Sequence, residues 1–489
     1  MSRSPRFEGA DLRRHASLAW AHLLQSRLAV VEIQSPHPLG AFESAIARIE
    51  RSVVFGILVA TTIVQANAIL HHAFKGQDWG IHAGAAAQAI GLPPPRWIVF
   101  VGTNPPGLYW LSALVRCATG STAYIAATSF VLVALNVIAL YVWTRLARKT
   151  IRQPSLRIAA LLTLAFLPFR LIHSTVFAAD ALAVLPFTLV IWLTYELFRA
   201  SDPRRQTRLV VALGAALMAG IFSKYTMASA VPVTLALLLV FRQRLASLKI
   251  RVGALLLLVV LPGLFSVLQF RRVPHDGPGL QYWAREMEWR SLFMLRAADR
   301  EVLRAPQYLD KITLDGVEDH NLLVINRHSY PALLHLSMFT DVLNIYQYDP
   351  ADSYFRPRDD VHQRLMTLAV RSAIPLSLLM VAATVIHLVR CLRRRRSLRS
   401  GTELPAMIPL AFSVAFFANI TLFLPFMQYS YLHGYWLARL VMPPLLGLCF
   451  LAFVFLDELL RWTGARAAVL AYVAAQSALH ASFLWTRGP

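Results

Sequence analysis

Charge is what this chain has least of. Asp, Glu, Lys and Arg together make up 15% of 489 residues, against about a quarter in ordinary soluble domains. Acids are scarcer still, 26 against 48 basic residues. A surface this poor in charge excludes a solvated globular protein of this length. Cysteine is nearly absent: Cys117, Cys391 and Cys449 lie far apart and match no metal or redox spacing, which argues against a disulfide framework. No internal repeat or low-complexity tract stands out. The first fifty residues hold Arg3, Arg6, Arg13 and Arg14 but no apolar core followed by a small-residue cleavage site, so residues 1–50 read as a cytoplasmic amphipathic leader rather than a cleaved signal peptide.

What the chain has in quantity is apolar sequence. Hydrophobic residues are 57% of the total and the mean hydropathy is +0.52. Runs that could span a membrane lie near 52–70, 121–144, 156–173, 178–198, 209–223, 226–241, 252–269, 368–389, 406–424, 436–456 and 466–485. The expected fold class is an all-α polytopic membrane protein of about eleven transmembrane helices. The net charge of +22 is no sign of nucleic acid, because much of it sits in short clusters between apolar runs. Arg145–Arg157, Arg199–Arg208, Arg242–Arg251, Arg390–Arg399 and Arg461–Arg466 all fall on one side if the N-terminus is cytoplasmic, the positive-inside pattern, and anionic membrane lipids are their expected partners. That agreement requires Pro105–Cys117 not to cross. At about thirteen residues it is short for a span, and Pro105 and Pro106 suit the first turn of a helix lying on the outer face. The expected organisation is therefore a core at 51–269 with an outer loop at 71–120, an extracytoplasmic segment at 270–371, and C-terminal helices at 372–489.

Polar residues in such a chain ask for a reason. The stretch from Lys75 to Tyr109 carries Gln77-Asp78-Trp79-Gly80-Ile81-His82 and then Thr103-Asn104-Pro105-Pro106-Gly107-Leu108-Tyr109. Ile81, Ala85, Ala89 and Leu92 form an apolar stripe at helical spacing, which predicts a helix along the membrane surface with Asp78 near its N-terminal end. His82 lies one turn after Asp78. The pair could orient Asp78 by a hydrogen bond, or hold a divalent cation, for which two ligands alone make a thin set. The His71-His72 pair reads as interfacial. Asp180 opens a helix, where an acid complements the dipole. Lys224, in Phe222-Ser223-Lys224-Tyr225, could snorkel to head groups or contact a phosphate. Near the C-terminus, Gln428–Tyr435 reads as an aromatic belt, whereas Arg439 begins a span with no acid close in sequence and suits a phosphate.

The order of these features resembles the GT-C class of membrane glycosyltransferases: an acid in the first outer loop, Asn104-Pro105-Pro106-Gly107-Leu108-Tyr109, Asp180 opening a helix, Gly220-Ile221-Phe222-Ser223-Lys224-Tyr225, and Arg439-x-x-x-Pro443. Within that class it is most similar to the bacterial branch akin to dolichyl-phosphate-mannose protein mannosyltransferases and lipid A aminoarabinose transferases. The resemblance implies a polyprenyl-phosphate-linked sugar as donor and a cell-envelope lipid, glycan or protein as acceptor, joined on the outer face with inversion. It assigns Asp78 as general base and Lys224 and Arg439 to the departing lipid phosphate. His82, Asn104, Tyr109, Asp180, Tyr225 and His433 are the further residues expected at the substrates. No cofactor is implied with certainty; a divalent cation on Asp78 and His82 is the one candidate. The chain departs from the pattern at Trp79, where many members carry a second acid, and at Leu440, where a tyrosine often follows the arginine. Two other readings of the same sequence are a flippase of lipid-linked sugars, which should show internal symmetry that is not seen here, and a GT-C-like scaffold without catalysis. The expected location is a bacterial inner membrane, with the C-terminus outside.

Overall fold

A computed structural model of the chain describes residues 40–71, 82–87, 105–120, 123–271, 334–335, 338–339, 360–393, 404–422 and 442–485. Asp78, Asn104, His433 and Arg439 lie outside the described residues. The chain divides into a short unit, Met1–Ala45, and a second, Ile46–Pro489, which carries the helical bundle.

All regular structure among the described residues is helical. The helices, in order, are α1 (Ala41–Leu70), α2 (Gly107–Thr119), α3 (Tyr124–Thr150), α4 (Pro154–Phe166), α5 (Pro168–Thr175), α6 (Ala179–Arg199), α7 (Pro203–Ser223), α8 (Ala230–Val240), α9 (Leu248–Leu255), α10 (Leu261–Arg271), α11 (Asp360–Ser372), α12 (Ile374–Arg393), α13 (Leu404–Leu422), α14 (Met442–Leu459) and α15 (Thr463–Trp485). A π turn, Leu256–Val260, joins α9 to α10. Local sequence sets the boundaries. Pro154 and Pro203 occupy first turns, where a missing N–H costs nothing. The Asp202 carboxylate accepts from the N–H groups of Arg204 and Arg205 at 3.2 and 3.0 Å and so starts α7. Gly120, at φ +61°, ends α2 in the left-handed region and donates to the Arg116 carbonyl.

Each of the eleven apolar runs overlaps helix among the described residues, but the membrane-spanning number supported there by length and composition is smaller. Among the described residues seven helices qualify, or eight when α4 and α5, bent by 48° at Leu167, count as one broken span. That count does not establish the expected eleven. One reason is visible at residues 225–240: Tyr225–Ser229 winds as a 3₁₀ turn, leaving α8 only 11 residues, about 16 Å of rise against a hydrocarbon core of about 30 Å. The apolar stretch of α13 is likewise short, and α15 is not among the qualifying helices.

Burial separates centre from rim. In α6 and α14, 78% of the apolar window is buried, against 17% for Leu248–Val267. The rim helices turn Leu255, Leu256, Val260, Leu264, Leu378, Val381 and Val385 outward, as lipid-facing sides should. The helices meet at a common basic end. Glu50 pairs with Arg148 at 3.0 Å and Arg157 at 2.6 Å. Glu196 pairs with Lys149 and Arg205, and Arg390 with Glu458. The neighbouring Asp457 accepts from the backbone N–H groups of Arg152 and Gln153 at 2.9 and 3.0 Å. Gln206 ties the α6–α7 loop to Arg244. Four of the five basic clusters are thereby joined by contacts at one end of the bundle, and the fifth, Arg461–Arg466, directly follows α14 there.

Candidate active site

The site is a consequence of a hairpin of matched length. Helices α6 and α7 each have 21 residues and are joined by Ala200–Asp202, so each rises about 30 Å and the start of one meets the end of the other. Asp180 is in the first turn of α6 and Lys224 immediately follows α7. Both are buried, 4% and 5% exposed, and they form an ion pair. The helix ends reinforce it, since a carboxylate is favoured at the N-terminus of α6 and a cation at the C-terminus of α7. Lys224 itself is extended; its N–H donates to the Gly220 carbonyl at 2.8 Å, and its carbonyl accepts from Met227 at 3.0 Å. In an apolar bundle neither charge is stable alone: removing one partner of a buried pair costs about 3–5 kcal/mol. The snorkelling reading of Lys224 is set aside by its burial, and Asp180 serves both as dipole complement and as counter-ion.

A second layer comes from the first loop. His82 is buried, and its Nδ1 lies 3.0 Å from the Tyr109 hydroxyl. The Phe177 ring stands edge-on to His82 with centroids 6.5 Å apart. Ala86, Leu108, Tyr109, Leu132, Phe177 and Ala181 form a small core of their own around this contact. Residues 82–87 are helical, and the face turned into the protein is His82 and Ala86, with Ala85 only partly covered. Of the expected stripe only Ala85 is described, and it packs partly buried against this core; Ile81, Ala89 and Leu92 lie outside the described residues.

The two layers share backbone. A Cβ on Gly107 would lie 2.5 Å from the Phe222 carbonyl oxygen and 3.3 Å from Ser223 Cα, so the Pro-Pro-Gly turn presses α2 against the residues that carry Lys224. Pro105 and Pro106 are buried there. Trp110 meets the Phe222 ring at 5.8 Å, and Phe222 stacks on Phe265 at 4.6 Å. On the other side Asn136 donates to the Leu132 and Ala181 carbonyls at 2.9 and 3.0 Å, which fixes the opening turn of α6 beside Asp180.

Four of the sequence-predicted residues are therefore brought together, as His82–Tyr109 and Asp180–Lys224. Tyr225 begins the 3₁₀ turn after Lys224, and its side chain is outside the described residues. Among the described residues no group of three His, Cys, Asp or Glu side chains could hold a metal ion. Sequence reasoning missed Asn136, Thr61, Gln65 and Arg170, all buried polar groups inside apolar runs. Arg170, a charge two residues after Pro168, is the signal that could have exposed them.

The close approach at Gly107 generates a stability test. Gly107→Ala forces a shift expected to cost about 1–3 kcal/mol, read as a lowered thermal midpoint of the full chain in detergent. Gly84→Ala is the comparison, since nothing lies within 4 Å of its Cβ position; it should leave the midpoint unchanged or slightly higher. Equal midpoints for the two variants would show that α2 is not pressed against Phe222.

Comparison with solved structures finds distant likenesses. The Saccharomyces cerevisiae protein O-mannosyltransferase Pmt1–Pmt2 complex bound to the sugar donor is 16% identical with a TM-score of 0.36, over 55% of this chain and 38% of that one. The Archaeoglobus fulgidus oligosaccharyltransferase in complex with zinc and sulfate is 14% identical with a TM-score of 0.46, over 88% and 53%. ArnT from Cupriavidus metallidurans bound to undecaprenyl phosphate is 13% identical with a TM-score of 0.35, over 82% and 77%. The chain thus spans well under two thirds of the first two proteins. No curated protein matches it. Residues 103–265 match the family model described as dolichyl-phosphate-mannose-protein mannosyltransferase. Asn104-Pro105-Pro106-Gly107, Asp180 and Lys224 all fall inside that stretch, so the likeness to that family covers about a third of the chain and includes these residues.

Proposed function

We propose that the protein transfers a sugar from a polyprenyl-phosphate carrier to a cell-envelope acceptor, with inversion, at the end of the bundle opposite the basic clusters. The observation that carries this reading is the buried Lys224, held by Asp180 and backed by α2, at the end of an apolar bundle. A polyprenyl phosphate presents a long apolar chain and one anionic group, and a fixed cation at an apolar boundary is complementary to both. An ammonium has three N–H donors, so Lys224 can serve the Asp180 carboxylate and a phosphate oxygen together.

In the proposed step, the Asp78 carboxylate takes the proton of the acceptor hydroxyl as that oxygen attacks the anomeric carbon. The bond from the anomeric carbon to the phosphate oxygen breaks on the opposite face, and its electron pair goes to the phosphate. Lys224, with Arg439, stabilises the charge that develops there. His82 follows Asp78 by four residues in sequence and is itself fixed by Tyr109, which suits it to orienting the base. Asn104, Tyr225 and His433 complete the proposed set of substrate contacts. The membrane arrangement proposed with this chemistry is eleven crossings in a bacterial inner membrane, the N-terminus cytoplasmic and the C-terminus outside. Gathering of the basic clusters at one end of the bundle supports that orientation.

Two outcomes are expected. Asp78→Asn should lower the transferred product, read by mass spectrometry of envelope glycans in cells lacking the native gene, by at least about 100-fold, while undecaprenyl phosphate still binds the purified variant. Product at the wild-type level would refute the assignment of the base. A phosphatase fused to the C-terminus should be active outside the cytoplasm; a fusion active only as a cytoplasmic reporter would refute the orientation.

A further inference from the structure

The bend between α4 and α5 is made of buried polar groups that the proposed chemistry does not use. Pro168 has no N–H, so the helix cannot continue its ladder, and the last carbonyls of α4 need other donors. They have them. The Ala165 carbonyl accepts from Thr61 Oγ1 at 3.1 Å and from Arg170 Nη1 at 2.8 Å; that same Nη1 donates to Thr61 Oγ1 at 3.0 Å. The Phe166 carbonyl accepts from His480 Nδ1 of α15 at 2.9 Å, which places the proton on Nδ1, and His480 Nε2 accepts from Gln476 at 2.9 Å. One turn beyond Thr61 on α1, Gln65 donates to Ser174 Oγ, and Ser174 in turn donates to the Leu171 carbonyl at 3.1 Å.

Helix α5 is thus gripped at both ends by two side chains of α1, and at its bend by its own arginine and a histidine of α15. All eight of its residues are buried. Its far end runs through Val176 directly into Phe177, which meets His82, and Asp180, which holds Lys224; the link is short, with Ala178 N–H donating to the Val176 carbonyl at 2.8 Å. Carbonyls freed by a proline inside an apolar bundle have no water to bond and take their donors from neighbouring helices, here α1 and α15. We propose that Arg170 and His480 are positioning residues for the site: by capping the exposed carbonyls of the broken helix they fix the angle of α5 and hence where Asp180 presents its carboxylate to Lys224. Neither touches substrate.

This inference rests on the reading of Lys224 as a phosphate contact, and the test separates the two. The probe is undecaprenyl phosphate, titrated into the purified full-length chain in detergent. Lys224→Met should weaken binding at least about tenfold. His480→Leu removes the donor to Phe166, and His480→Gln restores an N–H donor of similar reach. His480→Leu should weaken binding about tenfold, with His480→Gln within about threefold of wild type. Arg170→Met is expected to act like His480→Leu; because Arg170 is so deeply buried that its loss can prevent folding, the two His480 variants carry the test. Wild-type binding by Lys224→Met would overturn the phosphate reading. Loss of binding in Lys224→Met together with wild-type binding by folded His480→Leu would overturn the positioning role alone. Equal losses in His480→Leu and His480→Gln would also overturn it, because a donor to Phe166 would then not be what matters.

Discussion

The described part of the proposed site is built around one buried ion pair. Asp180 and Lys224 are 5% exposed or less, so each makes the other's burial tolerable. The pair exists because two helices of 21 residues are joined by a short loop at the basic end, which makes their opposite ends coincide. Around it the backbone is packed without slack: Gly107 against Phe222, Asn136 across the first turn of α6, Phe177 against His82.

The bundle sorts its charges by end. Carboxylates at Glu50, Glu196 and Glu458 each take a basic partner at one end; Glu50 and Glu196 are themselves buried, while their partners Arg148 and Lys149 are partly exposed. At the other end the described charges are few and buried. On the proposed function, the fixed Lys224 cation beside apolar walls is the combination expected for a carrier that is mostly hydrocarbon.

Much of this was legible in the sequence, and the parts that were not have a common cause. Apolar periodicity located the helices, and the Pro105-Pro106-Gly107 turn marked a short helix that forms as Gly107–Thr119. His82, Tyr109, Asp180 and Lys224 were each picked out as polar residues needing a reason. Their pairing was not, because it depends on two helices having equal length, which ±2 residues of boundary error conceals. Nor did the sequence reveal that Leu167 breaks a span: the apolar run 156–173 reads through it, and only Arg170 inside the run hinted that carbonyls there would want a donor. Thr61 and Gln65 look like ordinary polar residues of an apolar helix until α5 is placed against them. Hydropathy also counts apolar residues and not their rise, so it did not show that Tyr225–Ser229 winds differently from α8.

The most direct measurement is a double-mutant cycle on the pair, with Asp180→Asn, Lys224→Met and the double variant unfolded under the same detergent conditions. A mutually dependent buried pair predicts that each single substitution costs about 3–5 kcal/mol while the double costs less than their sum by about 2 kcal/mol or more. Losses that add within about 0.5 kcal/mol would mean the two charges are stabilised independently, and would contradict the account of the site built on them.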